Sequence, residues 1–87
     1  MTTKKTVLIT GAGGGIGRAT AQCLSKSDYS LLLLGRDLDS LEASRKSLEF
    51  PDAHQCISCD IRVQEDIGKA LQKSKIPVHY VVKFNTI

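Results

Sequence analysis

A cluster of glycines directly after a short apolar segment constrains this 87-residue chain more than any other feature. The segment Thr6–Thr10 is β-branched and apolar almost throughout, which is typical of a strand buried on both faces. Five of the next seven residues are glycine: Gly11, Gly13, Gly14, Gly15 and Gly17. Glycine allows positive φ and lets an anion approach main-chain N–H groups, and the helix pattern that follows has an N-terminus that favours negative charge. The sequence therefore predicts a phosphate-binding turn between a buried strand and a helix.

The spacing of the glycines narrows the type of phosphate loop. The G-x-G-x-x-G pattern needs glycine at positions 11, 13 and 16, but position 16 is Ile16. The P-loop pattern fails as well, because G-K-[ST] does not occur in the chain. The pattern T-G-x-x-x-G-x-G fits, with Thr10, Gly11, Gly15 and Gly17 at its fixed positions. A flexible glycine loop without a ligand is the alternative.

Strand and helix patterns alternate along the chain. The strand patterns are found at Thr6–Thr10, Ser30–Leu34, 54–59 and Val78–Phe84. A helix pattern follows each of them except the last. Such alternation with short connections predicts an α/β fold with a parallel sheet and right-handed crossovers. We expect a Rossmann-like sheet of about four strands in the order 3-2-1-4 with about three helices, which is an incomplete doubly wound fold.

The helix patterns predict which side chains share a face. The first helix is expected to form one apolar face from Ile16, Ala19, Thr20, Cys23 and Leu24. The second is expected to align Leu38, Leu41 and Leu48, and the third Ile67, Ala70 and Leu71. Asp37 is expected to cap the second helix, and Pro51 to end it by holding Phe50 extended. Arg18 is expected to be an exposed helix residue, the alternative being that it approaches the phosphate.

Composition and charge exclude several classes of protein. Hydrophobic residues make up 41% and charged residues 24% of the chain, a globular balance that argues against disorder. The net charge is +3 and no run of like charge exceeds the pair Lys4–Lys5, so neither a nucleic acid nor a membrane is expected as a partner. The longest apolar run, Leu31–Leu34, is too short for a membrane span, and the N-terminal apolar segment Val7–Ile9 is too short for the core of a signal peptide. Three cysteines do not suggest a disulfide framework, so a cytoplasmic location is expected.

Three residues that could bind a metal, His54, Cys56 and Cys59, lie close together in the third strand pattern. A zinc site would need a fourth ligand at a suitable spacing, and none is near in sequence. A strand also sends residues 54 and 56 to one face and residue 59 to the other. We therefore expect buried structural thiols and no metal site.

The glycine loop and two further segments resemble the short-chain dehydrogenase/reductase family, over residues 6 to 82. The loop matches the family pattern T-G-x-x-x-G-I-G, Gly35-Arg36-Asp37 follows the second strand, and Cys59-Asp60-Ile61 follows the third. The resemblance implies that a nicotinamide dinucleotide is the cofactor. The binding residues that it implies are Thr10, Gly11, Gly13, Gly14, Gly15, Ile16, Gly17, Arg36, Asp60 and Ile61.

The two later segments have different implied roles. Arg36 stands where an arginine pairs with the 2′-phosphate of NADP, so NADP is expected rather than NAD. The resemblance places Asp60 to accept a hydrogen bond from the adenine amino group and Ile61 to pack the strand end. The alternatives are that Arg36 is a solvated loop charge and that Asp60 is a surface turn residue.

The catalytic residues of the family have no counterpart in this chain. Family members transfer a hydride between the cofactor and a carbonyl or alcohol; a serine polarises the substrate oxygen, and a Y-x-x-x-K pair moves its proton. Tyr29 is followed four residues later by Leu33, and Tyr80 by Phe84, so no catalytic residue is assigned. The resemblance implies an NADP(H)-binding N-terminal fragment of an oxidoreductase that is inactive on its own.

The last residues depart from the family pattern. Where family members have N-N-A-G, residues 83–86 read K-F-N-T. We interpret residues 1–82 as an NAD(P)-binding half-domain and residues 83–87 as a divergent tail of a truncated chain. We expect an exposed sheet face and edge, marginal stability and association through that surface. The alternative function is a non-enzymatic truncation or splice product that associates with a full-length relative or has no role.

Overall fold

The computed structural model describes residues 4–60, 62–74 and 76–83. Its strands are β1 (Lys5–Thr10), β2 (Tyr29–Gly35), β3 (Gln55–Ser58) and β4 (Tyr80–Val82). Its α-helices are α1 (Gly15–Ser25), α2 (Leu38–Lys46) and α3 (Gln64–Ser74), and a short 3-10 helix spans Pro51–Ala53. Strands and helices therefore alternate as the sequence predicts. Of the tail at 83–87, only Lys83 lies within the described residues.

The four strands form one parallel sheet in the order β3-β2-β1-β4. β1 pairs with β2 along its whole length, from Lys5 opposite Tyr29 to Thr10 opposite Leu34. The predicted α/β class and strand order are confirmed. Because all the strands run in the same direction, their carboxyl ends lie at one edge of the sheet, and the glycine loop begins at that edge.

Each face of the sheet has its own apolar core. Beneath α1 and α2, the strand residues of the core are Val7, Ile9, Leu31 and Leu33. Beneath α3, they are Leu8, Leu32 and Leu34. Successive residues of β1 and β2 thus point into opposite cores, which explains why both strands are apolar at consecutive positions rather than at alternate ones.

Helix α3 covers most of the sheet face that the sequence predicts to be open. Leu8, Leu32 and Leu34 are at most 1% exposed, because Ile67 and Leu71 of α3 pack against their cluster. The expectation of an exposed apolar face is therefore wrong for β1, and the same face of β2 is covered as well. Among the described strands, the large apolar residues that are exposed lie in β4, where Tyr80 is 48% and Val81 61% exposed.

Strand β4 is shorter than the predicted segment Val78–Phe84. The N–H group of Thr6 donates to Nδ1 of His79 at 3.0 Å, so a side chain takes the place of a backbone acceptor at the start of the ladder. Regular pairing with β1 begins one residue later, at Tyr80. Phe84 lies outside the described residues.

The predicted apolar face of α1 is not the buried face. Ile16 is 71% exposed and Cys23 is exposed, whereas the helix residues in the interior are Gly17, Ala21 and Ser25. These three have small side chains, so the helix approaches the sheet closely. Ile16 and Cys23, which belong to the predicted apolar face, lie outside this buried face.

Helix α2 begins as predicted but ends earlier. Asp37 caps it, because its Oδ1 accepts from the N–H of Asp39 at 3.1 Å. Leu41 is buried, but Leu38 is 48% exposed and Leu48 lies beyond the last helical residue. Phe50 is not extended: it adopts a left-handed conformation with φ 52° and precedes the 3-10 helix.

None of the helices in the described part of the chain is long and apolar enough to cross a membrane.

Candidate functional site

The glycine loop turns the chain from the end of β1 into α1. Gly11 (φ 64°) and Gly15 (φ 58°) occupy the left-handed region, which side chains other than glycine rarely adopt. Gly17 is required for a different reason, since a Cβ at this position would overlap the carbonyl group of Gly11. The three glycines of the predicted T-G-x-x-x-G-x-G pattern are therefore each needed by the backbone.

Two polar side chains, Ser44 of α2 and Arg18 of α1, hold the loop against α2. Ser44, which is fully buried, donates its hydroxyl to the carbonyl oxygen of Ala12 at 2.6 Å. Arg18 donates from Nε to the Ser44 hydroxyl oxygen at 2.7 Å and from Nη2 to the carbonyl oxygen of Gly13 at 2.8 Å. The expectation that Arg18 is an exposed helix residue is wrong, because these bonds hold it half-buried against the loop.

The loop leaves open space where an anion would approach. A Cβ added at Gly11, Gly14 or Gly15 would meet no heavy atom within 4 Å. The carbonyl groups of Ala12 and Gly13 are bonded to Ser44 and Arg18, on the side of α2. The first N–H groups of any α-helix lack partners within the helix, and α1 begins here at Gly15. The loop thus fits a diphosphate at a helix N-terminus.

The remaining predicted loop residues have distinct environments. Thr10 ends β1 and is 2% exposed, whereas Ile16 projects from the first turn of α1. Gly13 lies against α2, and a Cβ there would be 3.0 Å from the Cβ of Ser40. Gly13 therefore permits the close packing of the loop on α2.

Arg36 follows β2 at the same edge of the sheet. Gly35 is paired with Ser58 of β3, and the Ser58 hydroxyl donates to the carbonyl oxygen of Arg36 at 2.9 Å. Arg36 is exposed, and Asp37 directly after it is the cap of α2. The predicted cap role of Asp37 is confirmed, and Arg36 is an exposed residue directly before it.

Asp60 follows β3 and is held by Arg62. Arg62 donates from Nε to Oδ1 and from Nη2 to Oδ2, both at 3.1 Å. The Arg62 N–H also donates to Oδ1 at 3.0 Å. These bonds hold the pKa of Asp60 at about 2, and the positive charge of Arg36 acts in the same direction. Sequence reasoning did not identify Arg62, because an arginine two residues after an aspartate is common at exposed turns.

Three adjacent strands bring the predicted residues to one rim. The glycine loop follows β1, Arg36 follows β2 and Asp60 follows β3, and these strands are neighbours in the sheet. Ile61, which was also predicted, lies outside the described residues. The rim therefore combines a loop suited to a diphosphate with a cation and a carboxylate beside it.

The candidate metal ligands are engaged elsewhere. Nδ1 of His54 accepts from the N–H of Leu31 at 3.0 Å, and its Nε2 lies 3.0 Å from the carbonyl oxygen of Glu49. Cys56 and Cys59 are half-buried and pack against opposite cores. Within residues 4–60, 62–74 and 76–83, no group of three or more histidine, cysteine or carboxylate side chains could hold a metal ion.

Comparisons with known proteins agree with this geometry. The family model described as short chain dehydrogenase matches residues 5–81. Serine 3-dehydrogenase of Rhizobium radiobacter is 41% identical over 66 residues, which are 76% of this chain and 26% of that enzyme. The chain thus spans about a quarter of the length of this curated relative.

Solved structures show the same fold. A short chain dehydrogenase from Bacillus anthracis superposes with a TM-score of 0.81 at 25% identity, covering 93% of this chain and 34% of that one. The alcohol dehydrogenase of the archaeon Thermococcus sibiricus, in complex with 5-hydroxy-NADP, superposes with a TM-score of 0.77 at 27% identity, covering 91% and 36%. With its glycine loop, its parallel sheet and a family match over most of its length, this chain belongs to the short-chain dehydrogenase family.

Proposed function

We propose that residues 1–82 bind the adenosine diphosphate part of a nicotinamide dinucleotide, and that NADP(H) is preferred over NAD(H). The observation that carries this proposal is the position of the open glycine loop, which precedes α1 at the sheet edge where Arg36 also lies. Loop N–H groups and the N-terminus of α1 suit the diphosphate. Family membership and the NADP analogue bound by the Thermococcus sibiricus enzyme support the choice of cofactor.

The preference for NADP(H) rests on Arg36. A guanidinium group donates two parallel hydrogen bonds to a phosphate, whereas NAD binding in such folds uses a carboxylate on the ribose hydroxyls. The carboxylate nearest in sequence is Asp37, and it caps α2 by accepting from the Asp39 N–H and the Ser40 hydroxyl. We therefore assign recognition of the 2′ position to Arg36.

Asp60 is proposed to accept from the adenine amino group. Its carboxylate has about four lone-pair positions, so the bonds from Arg62 leave acceptor capacity for a further donor. A pKa of about 2 keeps the group ionised, and hence accepting, throughout the neutral range. For Ile61 we propose the role that the family resemblance implies, which is to pack the strand end.

The chain is proposed to bind the cofactor without completing a reaction on its own. Bound NADPH supplies a hydride that reduces a carbonyl. The accompanying proton transfer in this family needs a tyrosine–lysine pair, and neither Tyr29 nor Tyr80 has a lysine four residues later. The residues present here bind and orient the adenosine end.

A charge-reversal variant tests the proposed preference. Arg36→Glu is expected to weaken NADP binding by about tenfold or more while changing NAD binding little, as measured by isothermal titration calorimetry on the full chain. Lys26→Glu is the matched control, because Lys26 is exposed at the far end of α1. Equal losses of affinity for NADP and for NAD in the Arg36→Glu variant would refute the role of Arg36.

A second candidate function is association with a longer relative. It is favoured by the exposed residues of the edge strand β4. Tyr80 and Val81 of β4 are about half exposed or more, and β4 pairs with β1 alone among the described strands. An apolar edge strand can add a strand from another chain. Val81→Lys is expected to abolish such association in size-exclusion chromatography, and an unchanged elution profile would argue against this function.

A further inference from the structure

Three charged side chains form a cluster at the rim of the sheet. Arg36 follows β2, and Asp60 and Arg62 follow β3. The two strand ends are held together, because the N–H of Cys59 donates to the carbonyl oxygen of Gly35 at 2.7 Å and Ser58 bonds to the main chain of Arg36. The cluster therefore has two cations around one carboxylate in a fixed part of the fold.

The two arginines of the cluster interact with Asp60 in different ways. Arg62 makes three hydrogen bonds to the carboxylate of Asp60, one of them from its main-chain N–H. The main chain of Arg36 is bonded to Ser58, and its exposed side chain acts on Asp60 through charge attraction. Arg62 thus supplies the hydrogen-bonded countercharge of Asp60, and Arg36 is an exposed cation beside it.

A carboxylate beside a phosphate site is expected to weaken the binding of the phosphate. A bare Asp60 would repel the doubly charged 2′-phosphate of NADP and would also attract the guanidinium of Arg36. An arginine bound to both oxygens of Asp60 removes most of this repulsion and supplies a countercharge in place of Arg36.

We propose that Arg62 is a specificity-determining residue that neutralises Asp60 and so lets Arg36 accept a 2′-phosphate. This inference rests on the proposed function, because it concerns the same nucleotide site. It assigns Arg62 a role in positioning charge and no direct contact with the cofactor.

Two nucleotides that differ only in the 2′-phosphate isolate the effect of Arg62 on binding of that phosphate. We define the affinity ratio as the affinity for adenosine 2′,5′-bisphosphate divided by the affinity for adenosine 5′-monophosphate. Contributions from adenine and the 5′-phosphate cancel in this ratio. Arg62→Ala is expected to lower the ratio by about five- to tenfold, the scale of a single charge interaction near a protein surface. Lys26→Ala, which removes one positive charge at the far end of α1, is expected to leave the ratio unchanged.

The double variant Asp60→Asn/Arg62→Ala separates neutralisation from direct contact. If Arg62 acts by neutralising Asp60, removal of the carboxylate charge restores the ratio to within about twofold of the parent value. If Arg62 itself contacts the phosphate, the ratio stays low and the proposal is overturned. An unchanged ratio in Arg62→Ala overturns it as well.

The outcomes also distinguish this inference from the proposed function. Saturable binding of both nucleotides with a ratio that does not respond to Arg62 refutes only the role of Arg62. Absence of saturable binding of both nucleotides and of NADP to the parent chain refutes the proposed function and the inference with it. Because Arg62 is 66% exposed, its replacement is expected to leave the circular dichroism spectrum unchanged, which verifies that the variants are folded.

Discussion

Gly17 of α1 lies so close to Gly11 that a Cβ on residue 17 would overlap the Gly11 carbonyl group. This contact joins the start of α1 to the end of β1. Gly17→Ala is therefore expected to force the loop apart and to lower the free energy of unfolding by about 1–3 kcal/mol in urea denaturation. Nucleotide affinity should fall with it.

Gly14→Ala is the matched control for this substitution. Its Cβ would meet open space, and the backbone of Gly14 is extended with φ 178°. The expected cost is less than about 1 kcal/mol, which reflects the lower preference for alanine at a helix N-cap. Equal stabilities of the two variants would contradict the close contact of residues 11 and 17.

Arg18 is expected to contribute to stability through the glycine loop. Arg18→Ala removes the bonds to the Gly13 carbonyl and the Ser44 hydroxyl, at a cost of about 1–3 kcal/mol in urea denaturation. Lys46→Ala is the comparison, because Lys46 is an exposed cation at the end of α2. If the two variants were equally stable, Arg18 would behave as a solvated surface charge and the description of the loop would be wrong.

His54 is expected to make the fold less stable in acid. Its Nδ1 accepts a buried N–H bond, and burial lowers its pKa below 6.5, with Lys4 and Arg45 adding to the effect against the opposing bond to Glu49. The unfolded chain then binds a proton at a pH where the folded chain does not. The contribution of His54 to stability should be constant above about pH 7.5 and should fall as the pH drops through 6.5, by no more than about 1.4 kcal/mol per pH unit.

Urea denaturation at a series of pH values measures this dependence. His54→Asn retains an acceptor for Leu31 and does not titrate, so its stability curve should be flatter between pH 5 and 7. A parent and a variant curve of the same slope would show that another group is responsible.

The three cysteines are expected to differ in reactivity. Burial, assisted by the negative charge of Glu42, raises the pKa of Cys56 to about 12, and burial also raises the pKa of Cys59. Cys23 is exposed on α1. Iodoacetamide at pH 8 should therefore modify Cys23 first, and Cys23→Ser should remove the fast phase seen by mass spectrometry. Rapid modification of Cys56 would contradict its burial.

The sheet could be predicted from the sequence because its strands are apolar at consecutive positions and are separated by helix patterns. The glycine loop was predicted because positive φ and close approach both require glycine, as Gly11 and Gly17 show. The family resemblance of the chain is confirmed by the match over residues 5–81.

Contacts that depend on small or polar side chains could not be predicted in the same way. The buried face of α1 is formed by Gly17, Ala21 and Ser25, which contribute little to a hydrophobic pattern. The bonds of Arg18 to Gly13 and of Arg62 to Asp60 are specific to the folded arrangement of these turns. An arginine in a sequence does not reveal whether it is bonded or solvated.

The binding of a diphosphate by the N–H groups of the glycine loop is the central claim, and amide chemical shifts test it most directly. Heteronuclear NMR spectra of the ¹⁵N-labelled full chain would be recorded during titration with ADP and, separately, with adenosine. The account predicts saturable shifts of the residue 13–17 amides with ADP and much smaller shifts with adenosine, which lacks the phosphates. Loop amides that do not respond to ADP, or that respond equally to adenosine, would contradict it.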